Sequence, residues 1–379
     1  MLVMQTKYAI VKQAIKSKIL DGTYEPHAKI PSESEMMKQF DVSRHTVRLA
    51  IGELVNEGWL YREQGAGTFC ADRSKQQLQQ NAIQNKNIAI VTTYISDYIF
   101  PSIIRGAEAY LSDHGYNVSL FNTNNDHEKE REYLERIITT GFDGAIIEPT
   151  KSASANPNIN YYLNLERLQI PYIMINAYYD ALEPYRVLVD DERGAFLQTE
   201  HLIKQGHRDI IGFFKTDDMQ GTLRMKGYLK AHREYKVPIN PKHIVTYNTE
   251  EKHEKPVQEL EALLNQTDAK PTGLVCYNDE LAIKLINVLR ERNLKIPQDM
   301  SIVGFDNSFL TELSEVKLTS VEHPKAELGK AAGKLILDLI ESNQGKGSEG
   351  AIDSVVFPTK LVPRQSTQAI KADTLEKIK

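Results

Sequence analysis

The chain has 379 residues, of which 41% are hydrophobic and 26% charged, and its formal net charge is −5. These values are typical of globular protein, and the length predicts two or three domains rather than one core. Two distant cysteines, Cys70 and Cys276, argue against a disulfide framework and form no CxxC metal pair. Because the sequence shows neither a signal-peptide pattern nor a run of about 18 apolar residues, we expect a cytoplasmic chain without a membrane partner.

Residues 1–71 predict a small helical domain that ends in a hairpin. Ser32 and Glu35 have the spacing of a capping box, and Ser43 is placed to cap a second helix after a tight turn. Apolar residues of that second helix recur with helical spacing and predict a buried face. Two capped helices joined by a short turn are typical of a helix-turn-helix, whose second helix enters the major groove of DNA.

The opposite face of this second helix is the predicted DNA-reading surface. His45, Arg48, Leu49 and Gly52 point away from the apolar face, and Arg44 lies at the helix start. Arg44 and Arg48 are four residues apart, so both can reach one edge of a groove. A basic helix face that is merely solvated is the alternative interpretation.

The segment after the second helix predicts a β-hairpin. Short apolar runs flank the sequence Gln64-Gly-Ala-Gly67, which suits a hairpin tip that approaches a minor groove closely. A phosphate-binding glycine loop is the rival interpretation. That loop requires a strand before it and a helix after it, usually with a lysine, and these are missing here.

Several motifs of this domain resemble the winged helix-turn-helix of the GntR family of bacterial repressors. They include Lys29-Ile-Pro-Ser-Glu33, Val42-Ser-Arg-His-Thr-Val-Arg48 and Gly65-x-Gly-Thr-Phe69, although Ala28 stands where the family usually has glycine. The resemblance implies that double-stranded operator DNA is bound by a homodimer. It assigns DNA binding to Lys7, Glu33, Arg44, His45, Thr46, Arg48, Gln64, Gly65 and Gly67.

The rest of the chain has a different pattern. Residues 72–86 are polar and rich in glutamine and asparagine, which is a linker composition. Over residues 87–379, apolar strands alternate with helices of about a dozen residues, the pattern of βαβ units in parallel sheets. Because so many units exceed one sheet, we predict an α/β fold with two lobes and a ligand cleft at the carboxyl ends of the strands.

Motifs in this large domain resemble the effector domain of LacI/GalR repressors. They include Ile104-Arg-Gly-Ala-Glu108, Cys276-Tyr-Asn-Asp-Glu-Leu-Ala282 and Val303-Gly-Phe-Asp306, whereas Pro363 departs from the usual apolar residue. The resemblance implies a two-lobed, periplasmic-binding-protein-like domain with two parallel sheets. It also implies dimerisation through this domain.

Polar and aromatic residues follow several predicted strands, where a cleft ligand would lie. Carboxylates, an arginine, an amide and a histidine beside aromatic rings suit a polyhydroxylated neutral ligand. Other interpretations remain for some: Tyr178 as a rim aromatic, Asp190 as a helix cap and Asp306 as a turn residue. Together with the resemblance, these considerations assign effector binding to Tyr98, Phe100, Glu148, Tyr178, Asp190, Arg224, Asn278, Asp306 and His323.

The order of the two modules is similar to that of the arabinose-responsive repressors. This resemblance implies a repressor of sugar-utilisation genes that leaves its operator when a monosaccharide effector, L-arabinose, binds; no cofactor, metal or catalytic residue is expected. A regulator of the same architecture that responds to another sugar, a purine or another small molecule stays open. A sugar-active enzyme with a DNA module also stays open, since paired carboxylates serve glycosidases, although no GxSxG, HExxH or Walker A sequence occurs.

Overall fold

The computed structural model describes residues 6–73, 85–96, 98–265, 271–345 and 351–370. Most of the predicted linker, residues 74–84, lies outside this range. The N-terminal head consists of three helices and a two-stranded hairpin. These elements are α1 (Lys7–Leu20), α2 (Glu33–Phe40), α3 (Arg44–Asn56), β1 (Leu60–Glu63) and β2 (Gly67–Cys70).

Side-chain caps define the helix-turn-helix of the head. Ser32 and Glu35 form the reciprocal capping box at the start of α2, and Asp41 ends that helix in the left-handed conformation, with a φ of 49°. The hydroxyl of Ser43 then accepts a hydrogen bond from the backbone N–H of Thr46 and starts α3. These caps satisfy N–H groups that helix starts leave unpaired, so the turn between the two helices can be short.

The first lobe, which we call the N-lobe, contains a six-stranded parallel sheet with the order β13-β7-β6-β5-β3-β4. Its strands are β3 (Asn87–Thr92), β4 (Asn117–Asn122), β5 (Gly144–Ile147), β6 (Tyr172–Ile175), β7 (Arg186–Val189) and β13 (Val355–Phe357). Its helices are α4 (Phe100–Asp113), α5 (His127–Thr140), α6 (Ile159–Arg167) and α12 (Lys325–Asn343). The inner strands β5 and β6 are apolar and fully buried because helices cover both faces of the sheet, whereas the edge strand β4 is partly exposed.

The second lobe, the C-lobe, contains another six-stranded sheet, with the order β14-β12-β11-β10-β8-β9. Its strands are parallel except for β14, which pairs antiparallel to β12. The strands are β8 (Ile210–Lys215), β9 (Ile244–Tyr247), β10 (Gly273–Val275), β11 (Ser301–Asp306), β12 (Thr319–Glu322) and β14 (Leu361–Val362). The helices are α7 (Asp191–Lys204), α8 (Met219–Glu234), α9 (Lys255–Leu264), α10 (Asp279–Glu291) and α11 (Leu310–Leu313).

The chain passes between the lobes three times. It crosses after β7, returns after β12 to form α12 and β13, and crosses again before β14. The carboxyl ends of both sheets therefore face the same interlobe cleft. This arrangement confirms the predicted fold class of a small head with a two-lobed α/β body. Within the described ranges, none of the helices combines the length and apolar character that crossing a membrane requires.

Candidate DNA-binding face and interlobe cleft

The recognition face of the head is the outer side of α3. Val47, Ala50, Ile51 and Leu54 are buried in the head, so the opposite face of the helix is turned to solvent. Arg44 and His45 are exposed at the first turn. Leu49 is 42% exposed, which is unusual for a leucine in a helix whose inner face packs so completely. The exposed face thus combines cationic, imidazole and apolar side chains.

Two further predicted DNA-binding residues are already paired with each other. The Nε of Arg48 donates to both carboxylate oxygens of Glu33, at 3.1 and 3.0 Å. Because this pair is largely exposed, its contribution to stability is small, and Arg48 can exchange the carboxylate for a DNA acceptor. Thr46 is half-buried, and its hydroxyl lies 2.9 Å from that of Ser43, which places it in the helix cap.

The predicted wing is an antiparallel hairpin. Strand β1 pairs with β2 in register, and Gln64 and Gly65 are exposed at the turn between them. Gly67 has a φ of +131°, and a Cβ there would lie 2.7 Å from Lys29, so a larger residue would strain the hairpin. Lys7 is exposed at the start of α1.

The interlobe cleft is a cavity of about 580 Å³, which is large enough for a small ligand. Most of the predicted effector-binding residues line it. They are Tyr98, Phe100, Glu148, Arg224, Asn278, Asp306 and His323.

Two predicted effector-binding residues are not among those that line the cleft. Tyr178 lies under the guanidinium of Arg186, which is 4.0 Å from the ring centroid. The carboxylate of Asp190 caps α7 by accepting a hydrogen bond from the backbone N–H of Arg193 at 2.9 Å. Tyr178 therefore fits the interpretation as a rim aromatic, and Asp190 fits the interpretation as a helix cap. Asp191, the residue after Asp190, lines the cleft.

Arg224 is the centre of a buried ionic cluster in the cleft. Its Nε donates to Asp191 at 2.8 Å, its Nη2 lies 3.5 Å from Asp306, and its guanidinium stacks on Phe305. Burial opposes its charge, but Asp191 and Asp306 outweigh that effect and raise the pKa of Arg224. The guanidinium is therefore held charged and fixed in orientation, as a ligand-positioning group requires.

A second ionic pair lies at the carboxyl end of β8. Lys215 Nζ donates to Asp218 at 2.9 Å, and the hydroxyl of Tyr277 donates to the same carboxylate at 2.8 Å. Burial works against the ionised form of Asp218, but Lys215 and Tyr277 outweigh it, so the pKa of Asp218 is lowered. The positive charges of Lys215 and Arg224 are thus each balanced by a carboxylate within the cleft.

Glu148 is fixed on the N-lobe side of the cleft. One carboxylate oxygen accepts from the backbone N–H and the hydroxyl of Thr93, and the other accepts from Asn176 Nδ2 at 3.1 Å. Burial raises the pKa of Glu148, although these hydrogen bonds favour the ionised form. Glu148 has acceptor capacity left for a hydroxyl group, since each carboxylate oxygen can accept more than one hydrogen bond.

Among the described residues that line the cleft, four buried polar atoms have no hydrogen-bond partner in the protein. They belong to Asn176, Gln220, Asp306 and His323. Burial lowers the pKa of His323 to about 4, so its imidazole is neutral at pH 7 and offers one donor and one acceptor. Unpaired polar atoms that converge on a cavity are suited to a ligand rich in hydroxyl groups.

Family models match both parts of the chain. The model of bacterial regulatory proteins of the gntR family covers residues 7–70, and that of the periplasmic binding protein-like domain covers residues 199–367. The arabinose metabolism transcriptional repressor of Halalkalibacterium halodurans is 56% identical over 370 residues, which is 98% of this chain and 99% of that protein. The chain belongs to the family of arabinose metabolism transcriptional repressors.

Other comparisons agree with this family. The arabinose metabolism transcriptional repressor of Geobacillus stearothermophilus is 48% identical, over 96% of this chain and 98% of that protein. A solved LacI-family transcriptional regulator from Enterococcus faecium with bound ribose has a TM-score of 0.64 and 28% identity, and the match covers 75% of this chain and all of that one. The chain is therefore a DNA-binding transcription regulator with a GntR-type head and a LacI-type body, and not an enzyme.

Several cleft residues of this regulator were not assigned from its sequence. Lys215 is the last residue of β8, and Asp218 and Gln220 come soon after that strand. Polar residues at strand ends are the same signal that selected Glu148 and Asp306. Asp191 directly follows Asp190, and the residue pattern alone does not show which of the two carboxylates caps the helix. Leu49 was placed on the outer face of α3, but an isolated apolar residue carries no sequence signal for binding.

Proposed function

We propose that this chain represses sugar-utilisation genes as a homodimer on operator DNA and leaves the operator when L-arabinose binds in the interlobe cleft. The observation that carries the proposal is the pairing of two sites on one chain. The recognition face of α3 is open to solvent, and the cleft presents buried polar atoms without protein partners. One site suits DNA and the other a small polyol, so a regulator linking them is the simplest account.

The charges of the cleft favour a neutral ligand. Arg224 and Lys215 each have a carboxylate partner within 3 Å, so neither requires an anionic ligand to balance its charge. Tyr94 and Phe100 supply aromatic surface on which the C–H face of a sugar can pack. L-Arabinose is the effector that the names of the 56% and 48% identical relatives favour.

Release follows from a change in the angle between the lobes. In a two-fold symmetric dimer, closure of each cleft changes the spacing of the two heads relative to the half-sites of a palindrome. A coupling free energy of about 2–3 kcal/mol would lower operator affinity about 30–150-fold. By linkage, operator DNA must weaken effector binding by the same factor.

A calorimetric screen tests the identity of the effector. The full-length chain is titrated with a panel of pentoses, hexoses and nucleobases, with and without a DNA duplex selected by the chain from a random library. We expect saturable binding of L-arabinose, weakened by the duplex. Tighter binding of a different sugar or of a nucleobase would transfer the effector role to that compound.

A further inference from the structure

The first helix of the head lies between the recognition helix and the N-lobe. On one side of α1, Lys12 Nζ donates to Glu53 of α3 at 2.7 Å and to Glu57, the C-cap residue of α3, at 2.6 Å. On the other side, Gln13 and Ser17 contact the N-lobe. Since Gln13 and Ser17 are four residues apart, they lie on one face of the helix. Any movement imposed on α1 by the N-lobe therefore reaches the recognition helix directly.

The N-lobe contact is centred on Glu135 of α5. One carboxylate oxygen of Glu135 accepts from Ser17 Oγ at 2.7 Å and from Tyr161 OH at 2.9 Å, and the other accepts from Gln13 Nε2 at 2.8 Å. Arg131 Nη1 lies 3.3 Å from the same carboxylate. Glu135 is only 8% exposed, and a buried carboxylate with this many donors is held in one position.

A further hydrogen bond lies at the end of α1. Asn164 Nδ2 donates to the backbone carbonyl of Leu20 at 2.6 Å, and Arg167 in turn holds the Asn164 oxygen at 3.0 Å. The buried apolar residues of the head and those around Tyr161 form one continuous core cluster. We call Arg131, Glu135, Tyr161 and Asn164 the head socket.

Helix α5 connects the head socket to the cleft. Just before α5, Asn125 lines the cleft and donates from Nδ2 to Thr249 of the C-lobe at 2.7 Å. Ten residues later, Glu135 holds α1. An α-helix transmits displacement as a rigid rod, and its rise from His127, where α5 begins, to Glu135 is about 12 Å at about 1.5 Å per residue. A change of lobe angle at Asn125 is thus carried along one helix to the head.

We propose that the head socket seats α1 on the N-lobe and that this contact, through α5, transmits lobe movement to the DNA-binding head. The inference rests on the proposed release by L-arabinose and specifies its route. A linker with the composition of residues 72–86 limits how far apart two domains can move, whereas side-chain contacts fix their orientation. Glu135 is a positioning residue in this account, since it contacts neither DNA nor effector.

The matched test exchanges the two partners of one hydrogen bond. Gln13→Glu places a second carboxylate against Glu135 without changing side-chain size, so the head should leave the socket. Adding Glu135→Gln restores a donor–acceptor pair, because the new amide can donate to the new carboxylate while its oxygen still accepts from Ser17 and Tyr161. Gln39→Glu makes the same chemical change at an exposed position of α2 and serves as the control.

Two measurements are made on full-length chains. Operator affinity is measured with and without L-arabinose, and hydrogen exchange of α6 is measured without DNA. In Gln13→Glu, we expect faster exchange in α6 and a fall of the arabinose effect from about 30–150-fold to about fivefold or less. On a logarithmic scale, the double variant Gln13→Glu/Glu135→Gln should regain at least half of the arabinose effect that Gln13→Glu loses. The control should behave as wild type. L-Arabinose affinity without DNA should stay unchanged in all of them.

Three outcomes would overturn the inference. Exchange in α6 could be unaffected by Gln13→Glu, which would mean that the head is not seated there in solution. The arabinose effect could persist although α6 exchanges faster, which would remove the socket from the transmission route. The double variant could fail to restore the arabinose effect, which would assign the loss to a local defect.

If L-arabinose does not release the wild-type chain from the operator, the proposed function fails and the transmission route fails with it. Hydrogen exchange in α6 would still decide whether α1 is seated on the N-lobe.

Discussion

At the scale of single residues, Asn278 caps a helix and also lines the cleft, so we expect it to have a structural and a binding role. Its side-chain oxygen caps α10 by accepting a hydrogen bond from the backbone N–H of Leu281 at 2.9 Å. Asn278 also lines the cleft. Because the cap holds the side-chain oxygen, we expect the amide nitrogen to be the group that donates to a ligand.

The two roles can be separated by Asn278→Asp. Aspartate keeps the capping oxygen but removes the amide donor, so the cap should survive while effector binding loses about 1 kcal/mol, or about fivefold in affinity. Calorimetric titration with L-arabinose measures the loss, and the midpoint of thermal unfolding checks the cap. An unchanged affinity would show that Asn278 acts only as a cap.

We expect Leu49 to give the recognition helix an apolar contact with DNA. Its exposed side chain lies on the same face as His45, and apolar side chains in the major groove contact the methyl group of thymine. We expect Leu49→Ala to weaken operator binding by about 1 kcal/mol, since a methyl contact is worth about that much.

A double-mutant cycle isolates this contact. Each operator thymine is replaced in turn by deoxyuridine, which removes only the methyl group, and anisotropy gives the affinities of wild type and Leu49→Ala. At one thymine, the methyl should matter to the wild type and not to the variant. Equal losses for both proteins at every thymine would show that Leu49 reads none of them.

The sequence predicts the role of a cleft residue only where that role follows from a position at the end of a strand. Glu148 and Asp306 were selected because polar residues after parallel strands face a cleft, and both line it. The same rule selected Asp190, whose side chain turns back to cap α7. Which of two adjacent carboxylates caps a helix and which enters the cleft depends on backbone geometry at the helix start, and the pattern of residue types does not contain that information.

At the scale of elements, contacts between the lobes hold the cleft closed along one edge. Asn125 donates to Thr249, whose hydroxyl donates to Asp217 at 2.5 Å, and Lys151 pairs with Glu250 at 3.0 Å. The backbone N–H of Met219 also donates to Ser152 at 2.9 Å. The hydrogen bond from Thr249 to Asp217 lies within the C-lobe, whereas the other contacts join different lobes and must break when the lobes separate.

Asn125→Asp tests this edge with a minimal change. Aspartate keeps the oxygen that accepts from the backbone N–H of Lys151 but replaces the donor to Thr249 with an acceptor. The closed cleft should lose about 1–1.5 kcal/mol, so L-arabinose affinity should fall about five- to tenfold. Calorimetry measures the affinity, and operator binding without effector serves as the control. Unchanged affinity for L-arabinose would show that this edge does not contribute to closure.

The elements themselves followed closely from sequence periodicity. Strands such as β5 and β6 are buried on both faces, and their uninterrupted apolar runs made them recognisable. Helix α4 begins at Phe100 and has Pro101 in its first turn, where a proline suits the helix because no backbone N–H is needed there. The head socket was not predictable, since it joins residues more than 100 positions apart in sequence.

At the scale of the whole molecule, the head and the body have separable chemistry and one shared allosteric link. Arg48 lies on the recognition face and Arg224 in the cleft, in different domains. Because neither site contributes side chains to the other, a substitution that removes a DNA contact should leave effector binding in the absence of DNA unchanged.

Arg48→Ala should therefore weaken operator binding by about 1–3 kcal/mol. Its affinity for L-arabinose in the absence of DNA should equal that of the wild type, as measured by calorimetry. Arg233→Ala, an exposed change on the C-lobe, is the control for removing one positive charge. Parallel losses at both sites in Arg48→Ala would contradict the modular account.

The central claim is that the effector and the operator compete through the fold of one chain. Fluorescence anisotropy of a labelled operator duplex, titrated with the full-length protein at zero and at saturating L-arabinose, measures this coupling most directly. We predict that saturating L-arabinose weakens operator binding about 30–150-fold. The account would be contradicted if operator affinity stayed the same while calorimetry showed that L-arabinose occupies the cleft.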